Sequence, residues 1–262
     1  MVRSVIGVIV GFGILSVVFG LLERWSPATA TAPRRSSRAL RTDLLYWIFT
    51  PVVTKALTSA AIVVCVAVAF AAMGSRLERE SLRGFGPLAR QPGWLQVVEM
   101  LVLGDFIGYW LHRRFHRGRL WPFHAVHHSS TVVDWLSAVR LHPVNDAAMK
   151  LFQALPLLAL GFAPGSVSAY APFLTFYAIF VHASVNWDFG PLRYVVASPV
   201  FHRWHHSKDP SALDTNFAGL LPLWDWMFGT LYLPRDRWPE DFGTHDPVPE
   251  GLLGQIAYPF RS

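Results

Sequence analysis

The sequence is poor in cysteine and in charge. Cys65 is the only cysteine among 262 residues. Intrachain disulfides, iron–sulfur clusters, zinc ribbons and thiol-pair redox chemistry are therefore excluded, and any metal must be held by nitrogen or oxygen. Charged residues make up 15% of the chain, against about 25% in soluble domains. With 52% hydrophobic and 14% aromatic residues, that shortfall excludes a disordered chain and points to a membrane protein. Lysine is scarce too, with only Lys55, Lys150 and Lys208 beside many arginines. This Arg- and Ala-rich bias goes with GC-rich, often bacterial, genomes. The formal charge of +6 comes without a contiguous basic patch carrying interleaved aromatics, so no nucleic-acid partner is expected. No repeat of solenoid period and no Ser- or Gly-rich linker divides the chain.

What the chain has is apolar length. A membrane span needs about 20 mostly apolar residues. Candidates are residues 5–22, residues 56–73 and residues 94–111, the last carrying Glu99 and Asp105. A semi-apolar stretch at 44–54 precedes the second span, set off from it by Pro51 and Lys55. An apolar pair follows at 143–162 and 167–181, joined by G-F-A-P-G from Gly161 to Gly165, where Gly and Pro favour a tight reversal. Arg3 and the A-T-A motifs at Ala28 and Ala30 give the first run features of a signal peptide, but its length and the following Glu23 and Arg24 favour a retained span. Five crossings with the N-terminus outside put most Lys and Arg, and the C-terminal half, in the cytoplasm. Arg76, Arg79, Arg83 and Arg90 fall on the opposite side and are expected to lie along the interface.

The chain is also rich in histidine. Ten of eleven histidines lie between 112 and 206. His112 and His116 are four apart. His124, His127 and His128 form an H-x-x-H-H box, and His202, His205 and His206 repeat it. Residues three and four apart share a helix face, so each box is expected to present three imidazoles on one side. Asp105, Tyr109, His112 and His116 continue one stripe, and Asp105, a costly carboxylate in an apolar span, is placed to accept the second ring N–H of a ligating histidine. His182 reads as a further ligand. His142, before Pro143, is open between ligation, a role behind the ligands and a turn, and His245 is expected at the surface. A hairpin at 143–181 returns the chain to the side it left, so all ten histidines can converge. One ion takes about four ligands, so the count suits two ions, and imidazole suits iron, zinc, copper and nickel alike, so the ligand type does not pick the metal. Ligands must be neutral, so metal should be lost as pH falls toward about 6.

Several motifs are similar to those of the fatty acid hydroxylase and sterol desaturase superfamily of integral-membrane, histidine-rich di-iron oxygenases. They are G-D-F-I-G-Y-W-L-H-R-R-F-H from Gly104, L-W-P-F-H-A-V-H-H-S from Leu120, R-L-H-P from Arg140 and F-H-R-W-H-H-S from Phe201. D-T-N-F-A-G from Asp214 and L-W-D-W-M-F-G-T from Leu223 complete the set. The resemblance covers about 94–233. It implies an all-α membrane bundle beneath a cytosolic histidine-rich helical cap. It also implies O2-dependent hydroxylation or desaturation of a lipid at two iron ions, with zinc the alternative metal. His112, His116, His124, His127, His128, His182, His202, His205 and His206 would be the ligands by motif position. Asp105, Tyr109 and His142 would stand behind them, and Asn216 and Asp225 join as candidate catalytic residues. The family often carries Asn two residues after the position of His182, where this chain has Ser184.

The expected division is 1–93, N-terminal spans and loops; 94–233, the catalytic region; and 234–262, a Pro-rich irregular tail. There is no His-Pro-Gly-Gly, no strand-borne G-x-G-x-x-G and no cysteine pair, so a separate ferredoxin or a cytochrome b5-like donor with its reductase must bring electrons. The expected location is a bacterial inner membrane with the histidines facing the cytoplasm. Two other readings compete. A zinc-dependent lipid hydrolase lacks any H-E-x-x-H, and a metal transporter would spread polar residues through its spans.

Overall fold

The computed structural model describes residues 2–29, 35–72 and 83–261. Arg76, Arg79 and the second A-T-A motif lie outside them. Among the described residues the regular elements are helices, with two isolated bridges, Pro27–Val185 and Ser207–Phe242.

Four helical segments are long and apolar enough to cross a membrane. The first is within α1 (Val2–Trp25). The second, Ser37–Val68, runs 32 residues through α2 (Ser37–Phe49), a π-turn (Thr50–Thr54) and α3 (Lys55–Ala72). The others are α5 (Gly93–Phe115), preceded by the single turn α4 (Gly86–Ala89), and α8 (Pro164–His182). α1 and α3 leave Ile6, Ile9, Ile14, Val17, Val63, Val64 and Val68 exposed, the all-round apolar surface of a lipid-facing helix.

Two expectations about the spans change. Pro51 does not separate 44–54 from the next span. It sits inside the π-turn, where the Lys55 N–H reaches back five residues to the Thr50 carbonyl, and the widened turn absorbs the proline without breaking the rod. At about 1.5 Å per residue that rod exceeds a hydrocarbon core of about 30 Å. Its first part, α2, is free to pack Thr42, Asp43, Tyr46 and Trp47 into the protein interior. Second, the 143–162 arm is α7 (Pro143–Ala159), only 17 residues and polar at its start, with Asn145 and Asp146 buried and Lys150 paired to Asp146 at 2.6 Å. It packs against α3 and α5 and is not among the spanning candidates. The reversal into α8 is present. Gly161 makes it at φ +103°, where a Cβ would lie 2.2 Å from the Phe85 carbonyl oxygen, so only glycine fits.

α5 and α8 bring their C-terminal ends, carrying His112 and His182, to one place. Two short helices cover it, α6 (Trp121–His128) and α9 (Pro199–His205). Pro122 in the first turn starts α6, and Ser198 caps α9 by accepting from the Phe201 N–H at 3.1 Å, the usual device for a helix too short to nucleate alone. An apolar cluster of Phe19, Trp47, Trp135, Leu136, Ile179 and Val185 ties α1, α2 and α8 beneath this cap. The tail is less irregular than expected. It forms α11 (Leu252–Ala257) after α10 (Leu223–Met227), and Phe242 and Gln255 are buried.

Candidate metal centre

Nine imidazoles meet in two groups. His112, His116, His124, His128 and His205 form one; His127, His182, His202 and His206 form the other, and within each group the candidate ligand atoms lie within 4.8 Å of one another. The boxes do not present three rings to one point. His124 and His128 turn to the five-membered group while His127 turns to the four, and the second box does the reverse, giving His202 and His206 to the four and His205 to the five. The reason is helical. Successive residues are about 100° apart, so neighbours such as His127 and His128 cannot aim at the same centre, whereas residues four apart can.

Ring protonation follows from the outer partners. His112 Nδ1 lies 2.7 Å from the Phe217 carbonyl, His205 Nδ1 2.8 Å from that of Thr215, His127 Nδ1 3.1 Å from that of Arg140 and His182 Nδ1 2.6 Å from that of Ala178. His124 Nδ1 lies 2.6 Å from Asn145 Oδ1. These oxygens only accept, so each Nδ1 carries the proton and each Nε2 is a bare lone pair. The bare atoms nevertheless face each other. Nε2 to Nε2 is 2.9 Å for His112–His124 and 3.1 Å for His127–His182. The Nε2 atoms of the pairs His128–His124, His128–His205, His202–His182 and His206–His202 lie 3.1 to 3.2 Å apart. Where both lone pairs are bare, as in His112–His124 and His127–His182, they repel unless a cation lies between them. A metal–nitrogen bond of about 2.0–2.1 Å puts neighbouring ligand nitrogens about 2.9 to 3.4 Å apart, the spacing seen here. His116 Nε2 is buried with no hydrogen-bond partner. The residues therefore fit two metal ions, one group of ligands each.

A proton cannot easily take the metal's place. Burial holds His116, His124, His127, His128, His202, His205 and His206 well below the ordinary imidazole pKa, and the neighbouring rings push the same way.

The other sequence candidates act one step further out. Asp105 touches no histidine. Its carboxylate accepts the N–H groups of Gly219, Leu220 and Leu221 at 3.1, 2.8 and 2.8 Å, so the expectation that it orients a ligating ring is corrected. A carboxylate saturated by backbone donors has its lone pairs committed. Asp225, pushed up to about 6 by burial, accepts from Phe217 N, Ala218 N and the Thr230 hydroxyl at 2.7, 2.9 and 2.6 Å. Asn216, left-handed at φ +56°, donates to the Phe201 and Tyr232 carbonyls and accepts from Tyr232 N. Together they pin the 214–221 loop, whose Thr215 and Phe217 carbonyls hold His205 and His112. Arg113 donates to the Tyr109 hydroxyl and Thr230 to Asp225, so Tyr109 donates to Thr230 at 2.9 Å. His142 lies outside both groups. Its Nδ1 accepts from Val144 N and its Nε2 donates to the Ile256 carbonyl at 3.1 Å, leaving no lone pair for a metal. His245 is exposed.

Sequence reasoning missed three residues. Asn145 holds His124, and its signal was an amide inside an apolar run. Asp214 lies 3.2 Å from His116 Nδ1. Asp43, far away in sequence, accepts from Arg140 Nε at 2.8 Å, and the Arg140 carbonyl in turn holds His127.

The sequence pattern of the fatty acid hydroxylase family matches residues 97–230. An ornithine lipid hydroxylase of Rhizobium tropici is 35% identical over 171 residues, covering 64% of this chain and 51% of that protein. An alkylglycerol monooxygenase of Danio rerio is 35% identical over 140 residues, 53% of this chain and 31% of that one. A very-long-chain aldehyde decarbonylase of Oryza sativa is 28% identical over 165 residues, 55% of this chain and 25% of that one. The chain thus spans about half the length of the first relative and less of the others. No solved structure matches.

Proposed function

The chain belongs to the fatty acid hydroxylase family, and we propose that it is a membrane-bound di-iron oxygenase that hydroxylates an unactivated C–H position in the apolar part of a membrane lipid. The observation that carries this is the pair of histidine groups, in which His112, His127, His182 and His205 anchor their Nδ1 protons on main-chain carbonyls while the Nε2 atoms converge. Two iron ions there would supply O2 reduction and C–H oxidation, with the nine histidines as ligands.

The protein's own part is to keep the rings neutral and aimed. Tyr109, Phe201, Trp204 and Phe217 are all buried, and Phe217 packs against His112, His116 and His205, an apolar wall of the kind that shields a strong oxidant. α5 and α8 expose Val97, Val98, Trp110, Phe173 and Phe176, an apolar surface against which an acyl or alkyl chain can lie next to the histidine-bearing ends of both helices. The similar hydroxylase and monooxygenase favour hydroxylation over desaturation. Electrons come from a separate ferredoxin or cytochrome b5-like protein with its reductase, and the cap faces the cytoplasm of a bacterial inner membrane. The grouping of ligands at one end, with few polar residues in the spans, speaks against a transporter.

The test is to reconstitute the iron-loaded full chain with reductant and bacterial lipid extract under 18O2. A lipid product heavier by one 18O atom is expected. Absence of label in any lipid, with two irons bound, would overturn the oxygenase reading.

A further inference from the structure

The two groups differ in what lies beside them. A cavity of about 250 Å³ borders His116, His128 and His205 of the five-membered group, and none of His127, His182, His202 and His206 lines it. Its walls come from the cap and the tail. Its lining is exposed at Leu213, Asp214 and His245, with relative accessibilities of 51% for Leu213 and 61% for the Asp214 side chain. Carboxylates mark the route. Asp214 sits at the mouth, 3.2 Å from His116 Nδ1, and Asp246 sits on the wall, held by Trp121 Nε1 at 2.8 Å. Lys208, the lining amine, is paired to Asp241 at 3.2 Å. At about 30 Å³ per water, a cation with six waters needs roughly 180 Å³, which the cavity holds. At its inner end waits the bare, buried, unpartnered Nε2 of His116.

We propose that this cavity is the loading port of the five-histidine group, through which a hydrated divalent transition-metal cation enters. Asp214 would be the first protein group to meet such a cation, and His116, His128 and His205 the ligands behind it that would hold it, with the same residues lining its way out. The four-histidine group has no such access through this cavity and exchanges its ion slowly. The inference rests on the two-ion reading above.

The full-length protein in nanodiscs, loaded with Co2+, is assayed for total metal and then for release to a soluble chelator. Two ions per chain, leaving in two phases of equal amplitude, are expected. Leu213→Trp should narrow the mouth and slow the fast phase by at least about tenfold, leaving the slow phase and the stoichiometry unchanged. Leu213→Ala, which adds no bulk to be accommodated, should speed the fast phase alone. Two bound ions with a single release phase, or with phases insensitive to Leu213, overturn the port while leaving the two-ion reading standing. Fewer than two ions in the unaltered chain overturns both.

Discussion

The five- and four-histidine groups are built by one recipe and finished differently. Each takes two histidines from one H-x-x-H-H helix and one from the other. The five-membered group then adds two rings from the end of α5 and the four-membered group one from the end of α8. The first has a polar wall, an exposed carboxylate on His116 and a side-chain amide on His124. The second has backbone carbonyls on His127 and His182. The same ligand type in the same helical spacing thus yields one centre with a ligand to spare and a cavity beside it, and one of four ligands that this cavity does not touch.

Acid should erase the distinction. The buried histidines hold pKa values below those of the unfolded chain, so below about pH 6.5 the unfolded chain takes up protons that the folded site refuses. Stability is therefore full above that pH and falls as it drops, and metal is lost by unfolding rather than by direct protonation of the rings. Dialysis at pH 5 is expected to remove both ions, read by elemental analysis; retention of both would show that the rings do not hold them.

Single ligands should restore it. His182→Ala leaves three rings and is expected to cost the chain one of its two ions, whereas His116→Ala leaves four and keeps both. Equal losses would mean that the groups are equivalent. Asp225→Ala strands three buried donors, so a loss of at least about 3 kcal/mol is expected, seen as a lower Tm, together with selective weakening of the five-membered group through Phe217. Asn145→Ala frees the ring of His124 and should weaken the same ion about 10–100-fold, by competition with a chelator, with no change at the other. The smallest effect belongs to Asp214→Asn. An exposed pair is worth less than about 1 kcal/mol, so equilibrium affinity should move by a few-fold at most.

Much of this was legible in the residues. Histidine spacing indicated helices and the ligand count enough donors for two centres, since a period of 3.6 and a count both survive in one dimension. The partition of each box between two centres did not. It depends on 100° of rotation between neighbours, which the argument from shared helix faces had smoothed over. The orienting partners were the least visible, because the acceptors for His112, His127, His182 and His205 are main-chain carbonyls and any residue offers one. Asp105 stood out as a carboxylate in an apolar span and Asp225 through its motif, and both turned out to hold backbone amides, with the Thr230 hydroxyl added at Asp225. Pro51 misled, since a proline that normally ends a helix is absorbed by a π-turn.

Asp43 carries one more lesson. The first ninety residues hold no recognisable chemistry, and it is natural to regard them as an anchor. Yet Asp43 is fully buried against Arg140 and Arg35, and Arg140 is itself 4% exposed. Removing one member of such a pair typically costs about 3–5 kcal/mol, because the other charge stays behind in a medium that cannot solvate it. The motif-bearing segment is thus electrically incomplete on its own. An enzyme engineer who grafts 94–233 onto a different anchor inherits a stranded guanidinium one peptide group away from the carbonyl that aims His127.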